Sequence, residues 1–164
     1  MRKSMPPLIG LIAVVLLAGA FYAGYLAGGG GRGTAGGQGE PTIYSQWIRA
    51  EKPPMPKIAI DGVDIPVKLA GYSWCQPASG KSMSCVSTDA AIPTVEPIPV
   101  KGGSEIKTTA PKRIKEFSLM NTSKDFDGDD YFVPTAKGEY QYHIHCEWFL
   151  DQGQADYYFA VKVE

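Results

Sequence analysis

Hydrophobic and polar positions fall into three successive regimes along the chain. From Leu8 to Ala27, twenty consecutive residues carry no charge. Wound as a helix, such a run reaches ~30 Å, the thickness of a bilayer's hydrocarbon core. Arg2 and Lys3 precede it, the basic flank that the positive-inside rule places in the cytoplasm. The expectation is a single transmembrane signal-anchor helix over 8–27, with residues 1–7 cytoplasmic and the rest of the chain extracytoplasmic. A cleaved secretory signal is the competing reading, since Leu8–Leu17 makes an h-region and Ala18-Gly19-Ala20 a small-x-small cleavage site. The apolar run continues seven residues past that site, which favours the anchor. No cysteine sits near the end of the run to take a lipid.

The second regime is a glycine tether. Gly28–Glu40 holds eight glycines in 13 residues and has nothing to pack. As a random coil it reaches ~20 Å, enough to lift a folded domain clear of the head groups. A phosphate-binding loop is excluded there, because no strand precedes it and no helix follows. Residues 28–42 are therefore read as a linker.

From Ile43 onward the period becomes two. Lys57–Ile60 and Val63–Leu69 alternate in the strand manner, with Asp61-Gly62 between them as a two-residue hairpin turn. Glu105–Thr109 and Arg113–Leu119 alternate as well, the latter with Ile114, Glu116 and Ser118 on one side and Lys115, Phe117 and Leu119 on the other. Tyr131–Val133, Glu139–Trp148 and Asp156–Val163 complete the set, and proline and glycine punctuate the gaps. No segment shows a helical stripe. The pattern predicts an all-β domain over 43–164, an antiparallel β-sandwich of immunoglobulin-like kind, with a small closed barrel as the second choice. Trp47, outside the main strands, is expected to cap the sandwich.

Composition changes this picture little. Apolar residues at 44% and aromatics at 11% can fill a core. A net charge of −1 with scattered basic residues argues against a nucleic-acid partner.

Gly71-Tyr72-Ser73-Trp74-Cys75, then Cys85 and Asp89, the Val100-Lys101-Gly102-Gly103 turn, Gly138-Glu139-Tyr140 leading to Trp148, and Ala155-Asp156-Tyr157-Tyr158-Phe159 form a characteristic series. Over roughly 57–164 the chain resembles a group of small secreted or membrane-anchored Gram-positive bacterial proteins. The resemblance implies one extracytoplasmic immunoglobulin-like β-domain of no established activity. It brings no catalytic residues, and the usual members of the group lack the paired histidines described next.

Three candidate sites remain. Cys75 and Cys85, with Pro77 and Gly80 between them, are close enough in sequence for a disulfide in an oxidising compartment. Cys146 is then a buried free thiol on the inward face of its strand; a bond involving Cys146, or no bond at all, are the alternatives. On the strand Gln141–Trp148, the residues Gln141, His143, His145 and Glu147 share one face and Tyr142, Ile144, Cys146 and Trp148 the other. Imidazoles two residues apart lie ~6.5–7 Å apart along a strand, within reach of one ion, and His143, His145 and Glu147 form a set suited to zinc or copper. The favoured reading is that two such histidines pair with cross-strand carboxylates and need no metal. The string resembles the His-Cys-His motif of multicopper oxidases, but Cys146 is displaced from between the histidines and the chain has only two. Asp125, Asp127 and Asp129 stand where a calcium loop begins. Asp130 and Ala136 occupy the positions that need glycine and a bidentate glutamate, so a solvated Asp127-Gly128 hairpin turn is the favoured reading.

No nucleophile elbow, Walker loop, zinc-protease helix or CxxC pair is present. The expectation is a non-enzymatic, membrane-tethered extracytoplasmic module that contacts an envelope protein partner or another ligand, which the sequence does not identify, and carries no cofactor. The alternative is an envelope metal-binding protein using the His-x-His-x-Glu strand.

Overall fold

The computed structural model describes residues 43–78, 82–124 and 126–164. The expected cytoplasmic residues 1–7, the span Leu8–Ala27, the linker 28–42 and Asp125 lie outside the described residues. Among the described residues no helix is long and apolar enough to cross a membrane.

Among the described residues, nine strands follow a short 3-10 turn at Ile43–Gln46: β1 Lys57–Ile60, β2 Val63–Ile65, β3 Lys68–Pro77, β4 Met83–Thr88, β5 Ile98–Val100, β6 Ile106–Thr109, β7 Ile114–Asn121, β8 Gly138–Trp148 and β9 Gly153–Val163. They form two sheets. The smaller has the order β2-β1-β6. The larger runs β4-β3-β9-β8-β7, and β5 pairs in parallel with β9 beyond the point where β3 leaves it. Every other pairing between strands is antiparallel. Strand β9 is thereby flanked along nearly its whole length.

The expected period of two is clearest in β8. Tyr142, Ile144, Cys146 and Trp148 are fully buried, and the residues between them reach solvent. Tyr157, Phe159, Val161 and Val163 are buried in the same way in β9, where Ala160 between them is buried as well. Ile58, Ile60, Ile65 and Ile106 of the small sheet join them in one continuous core with Trp74 and Leu119. The two sheets therefore share a single apolar interior, which is why neither needs a helix to cover it.

The Asp61-Gly62 turn forms as expected, with φ of 51° and 78°, the left-handed conformation that a two-residue hairpin requires. The Ser104 hydroxyl donates to Asp61 Oδ2 at 2.6 Å and ties this turn to the segment entering β6.

Several expected strands change. Val63–Leu69 is not one strand: it breaks at Pro66-Val67, and its halves enter different sheets. Proline lacks the N–H that a ladder needs, so the chain crosses over there. Tyr131–Val133 forms no strand, only a single bridge between Glu105 and Phe132. Its backbone is satisfied instead by Ile106 N–H donating to the Tyr131 carbonyl (2.8 Å) and by reciprocal bonds of Val133 with Gly103 and Ser104. Asp127-Gly128 closes no hairpin, since β7 ends at Asn121 and β8 begins at Gly138. A bulge between Ile114 and Glu116 turns Ile114 to the side of Phe117 and Leu119, so all three pack on the core. Strict alternation assigns Ile114 to the other face.

Trp47 caps the core at 6% exposure, its indole donating to the Leu150 carbonyl at 3.0 Å. Beside it, buried Gln152 acts as a surrogate strand. Its side-chain oxygen accepts from Ile48 N–H (2.8 Å), and its amide donates to the Ile48 carbonyl (2.6 Å) and the Cys75 carbonyl (3.1 Å). The connection from β8 to β9 holds Leu150 and Asp151 at φ of 60° and 52°, a costly conformation for leucine. These hydrogen bonds over-determine the turn and hold it there.

Candidate functional site

The two histidines lie on the outer face of the large sheet. They alternate with the core residues of β8, so their place follows directly from the apolar pattern. The register sets Met120, His143 and Tyr158 side by side across β7, β8 and β9, and Ser118, His145 and Asp156 in the next row. Asp156 Oδ1 accepts from both rings, from His143 Nε2 at 2.8 Å and from His145 Nδ1 at 2.9 Å. Each bond requires a proton on the nitrogen facing the carboxylate, which fixes both tautomers when the rings are neutral. Tyr158 stacks on His143 with centroids 4.9 Å apart and holds that ring in place. Partial burial would raise the Asp156 pKa, but the hydrogen bonds and charges of His145 and His143 outweigh it and lower the pKa.

Glu147 is not part of this cluster. Its carboxylate accepts from Lys115 Nζ at 2.6 Å across β7 and β8. The cross-strand carboxylate beside the histidines is Asp156, eleven residues beyond His145 in the chain. A His-x-His strand signals that some neighbour faces it, but only the β8–β9 register says which. Among the described residues, no group of three or more His, Cys, Asp and Glu side chains is placed to hold a metal ion.

Cys146 faces the opposite way, fully buried, and burial pushes its thiol up to about 12. At neutral pH it remains protonated, so it acts as a small core residue rather than a nucleophile.

Cys75 and Cys85 form the expected disulfide. They sit directly opposite each other in the β3–β4 register. Strand β4 itself was not legible in the sequence: Met83–Thr88 has no alternation, and all six residues are exposed. Among the described residues it pairs only with β3, leaving an open sheet edge that presents Val86 and Met83 to solvent. On the loop-entropy relation, a disulfide closing so short a loop stabilises by ~2–3 kcal/mol. Since β4 buries nothing, that energy falls mainly on β4 and not on the core. Reduction is expected to expose the β4 amides to hydrogen exchange while those of β8 and β9 stay protected, with a global loss below about 1 kcal/mol. Loss of the full ~2–3 kcal/mol would mean that β4 folds as one unit with the core.

In the acidic loop, Asp129 Oδ1 accepts from Tyr131 N–H (2.9 Å) and Asp130 Oδ1 from Asn121 N–H (2.6 Å). Both carboxylates fix the loop that follows β7. Asp127 lies in the same loop, lining a depression of about 500 Å3 that opens widely to solvent between Phe126, Phe132, Lys124 and Tyr140, away from the histidines.

Comparison with known proteins found no matching family model, curated protein or solved structure.

Proposed function

We propose that the chain is a membrane-tethered, extracytoplasmic binding module, an immunoglobulin-like sandwich that acts by engaging an extended segment of an envelope protein along β4 rather than by catalysis. The observation that carries this reading is the contrast within β4. It buries no side chain, has one paired edge among the described residues, and yet is fixed to β3 by the disulfide. A strand that contributes nothing to the core gains little for folding by being locked. An open edge held flat and ready lowers the ordering cost of adding a partner strand, the mode of recognition known as β-augmentation. The apolar run Leu8–Ala27 and the glycine tether supply the anchor and reach, and the resemblance to small Gram-positive envelope proteins agrees with that placement.

Two measurements in intact cells test this. Protease added outside should digest the 43–164 domain while residues 1–7 stay protected and the chain fractionates with membranes. A photo-crosslinking residue at Val86 should give a discrete protein adduct that vanishes with Cys85→Ser, whereas the same probe at exposed Lys107 of β6 should give none. Equal adducts at the two positions, or none at Val86, would overturn the β4 reading.

A further inference from the structure

The outer face of β8 and β9 carries a second site, independent of whether the chain is tethered. We propose that His143, His145 and Asp156 bind one divalent ion of the copper(II) or zinc class, with Asp156 in place of the more obvious Glu147. Two imidazole nitrogens from one strand reach the same carboxylate oxygen of the next, Asp156 Oδ1, at N···O separations of 2.8 and 2.9 Å, which brings the three donor groups together. Three ligands of a tetrahedral ion at ~2.0–2.1 Å from the metal stand about 3.3 Å apart. The present contacts are therefore short of coordination spacing by about half an ångström. A small rotation of the Asp156 carboxylate supplies that difference. In the hydrogen-bonded arrangement the donors are not placed to hold an ion, so binding requires that opening.

The chemistry of the donors is consistent. Neutral imidazole and carboxylate suit copper(II) and zinc, not calcium or magnesium, which prefer all-oxygen shells. On binding, His143 moves its ring proton from Nε2 to Nδ1 and His145 from Nδ1 to Nε2. Each coordinating nitrogen then offers a lone pair, and no net proton leaves the two rings. The Tyr158 ring fixes the plane of His143. The side chains of His143, His145 and Asp156 are 17%, 29% and 39% exposed, so an ion can enter from solvent and water can complete the shell. Glu147 is excluded because it is held by Lys115. On β7, exposed Met120 lies opposite His143 in the register, and its thioether would favour copper over zinc at a fourth position.

The test is calorimetric titration of the purified full-length protein with copper(II) and with zinc alone, followed by long-range 15N NMR of the imidazoles. One ion per chain is expected. Asp156→Asn and His143→Ala should each weaken binding at least about tenfold, whereas Glu147→Gln should leave it unchanged. Far-ultraviolet circular dichroism confirms that the variants are folded. In the unsubstituted protein, which needs no variant, the metal-shifted nitrogens should be His143 Nε2 and His145 Nδ1. Absence of stoichiometric binding, binding indifferent to Asp156→Asn, or ligation through the other ring nitrogens would each overturn the proposal. Binding lost in Glu147→Gln but kept in Asp156→Asn would place the ion on the Glu147 side instead.

Discussion

Gly153→Ala is expected to cost at least about 3 kcal/mol and to separate β9 from β3, a result readable as a shifted urea midpoint and loss of near-ultraviolet dichroism. Gly153 opens β9 directly opposite Trp74. A Cβ there would overlap the Ser73 carbonyl oxygen and stand 3.0 Å from both Trp74 Cα and Trp74 Cε3. Two of those three neighbours are backbone atoms in a paired strand, so no side-chain rotation relieves the overlap. Backbone conformation is not the reason for glycine here, as Gly153 is outside the left-handed set. The close approach is the reason. A loss under 1 kcal/mol would show that the strands can part at that point without disturbing the core.

Trp74→Ala is the second large effect, at about 3–5 kcal/mol by loss of a buried aromatic. Trp74 is 1% exposed, meets Trp148 edge-to-face with centroids 5.0 Å apart, and donates its indole N–H to the Ala50 carbonyl at 2.8 Å. One side chain thus fills the end of the core and fastens the segment leading into β1. In a domain with the usual margin of roughly 5–15 kcal/mol, such a loss consumes much of the total. The paired variant Gly153→Ala/Trp74→Ala discriminates between sources of strain. Removing the indole frees only the contact with Cε3, and the Ser73 oxygen remains, so the two costs should nearly add. Strong compensation would place the strain on the ring.

What the sequence revealed and concealed follows from where each residue's information lies. β8 was legible because one face is wholly buried, so its apolar residues recur at every second position with no exception from Tyr142 to Trp148. Trp47 was legible because a lone large ring seldom stays in water. β4 was hidden because a strand exposed on both faces has no pattern to read. Ile114 was misassigned because a bulge shifts the period by one residue, and bulges leave no mark in a short run. The substitution of Asp156 for Glu147 beside the histidines shows the same limit at the site. Glu147 is two residues from His145 in sequence, while Asp156 becomes its neighbour only when β8 and β9 pair in one particular register. Face and spacing are properties of a single strand, but convergence depends on two.

The position of β9 has a consequence in time. Of the nine strands described it comes latest in the chain, and it is also the interior strand to which β3, β5 and β8 attach. A chain emerging from its N-terminus, whether from a ribosome or through a secretion channel, cannot close the large sheet until Gly153–Val163 is out. Until then β3 and β8 lack the strand that lies between them, and Ile48 waits for Gln152, 104 residues downstream. Such dominance of long-range pairing makes for slow folding and leaves sheet edges bare in the interval. A chain truncated before Gly153 would therefore lack the centre of its larger sheet.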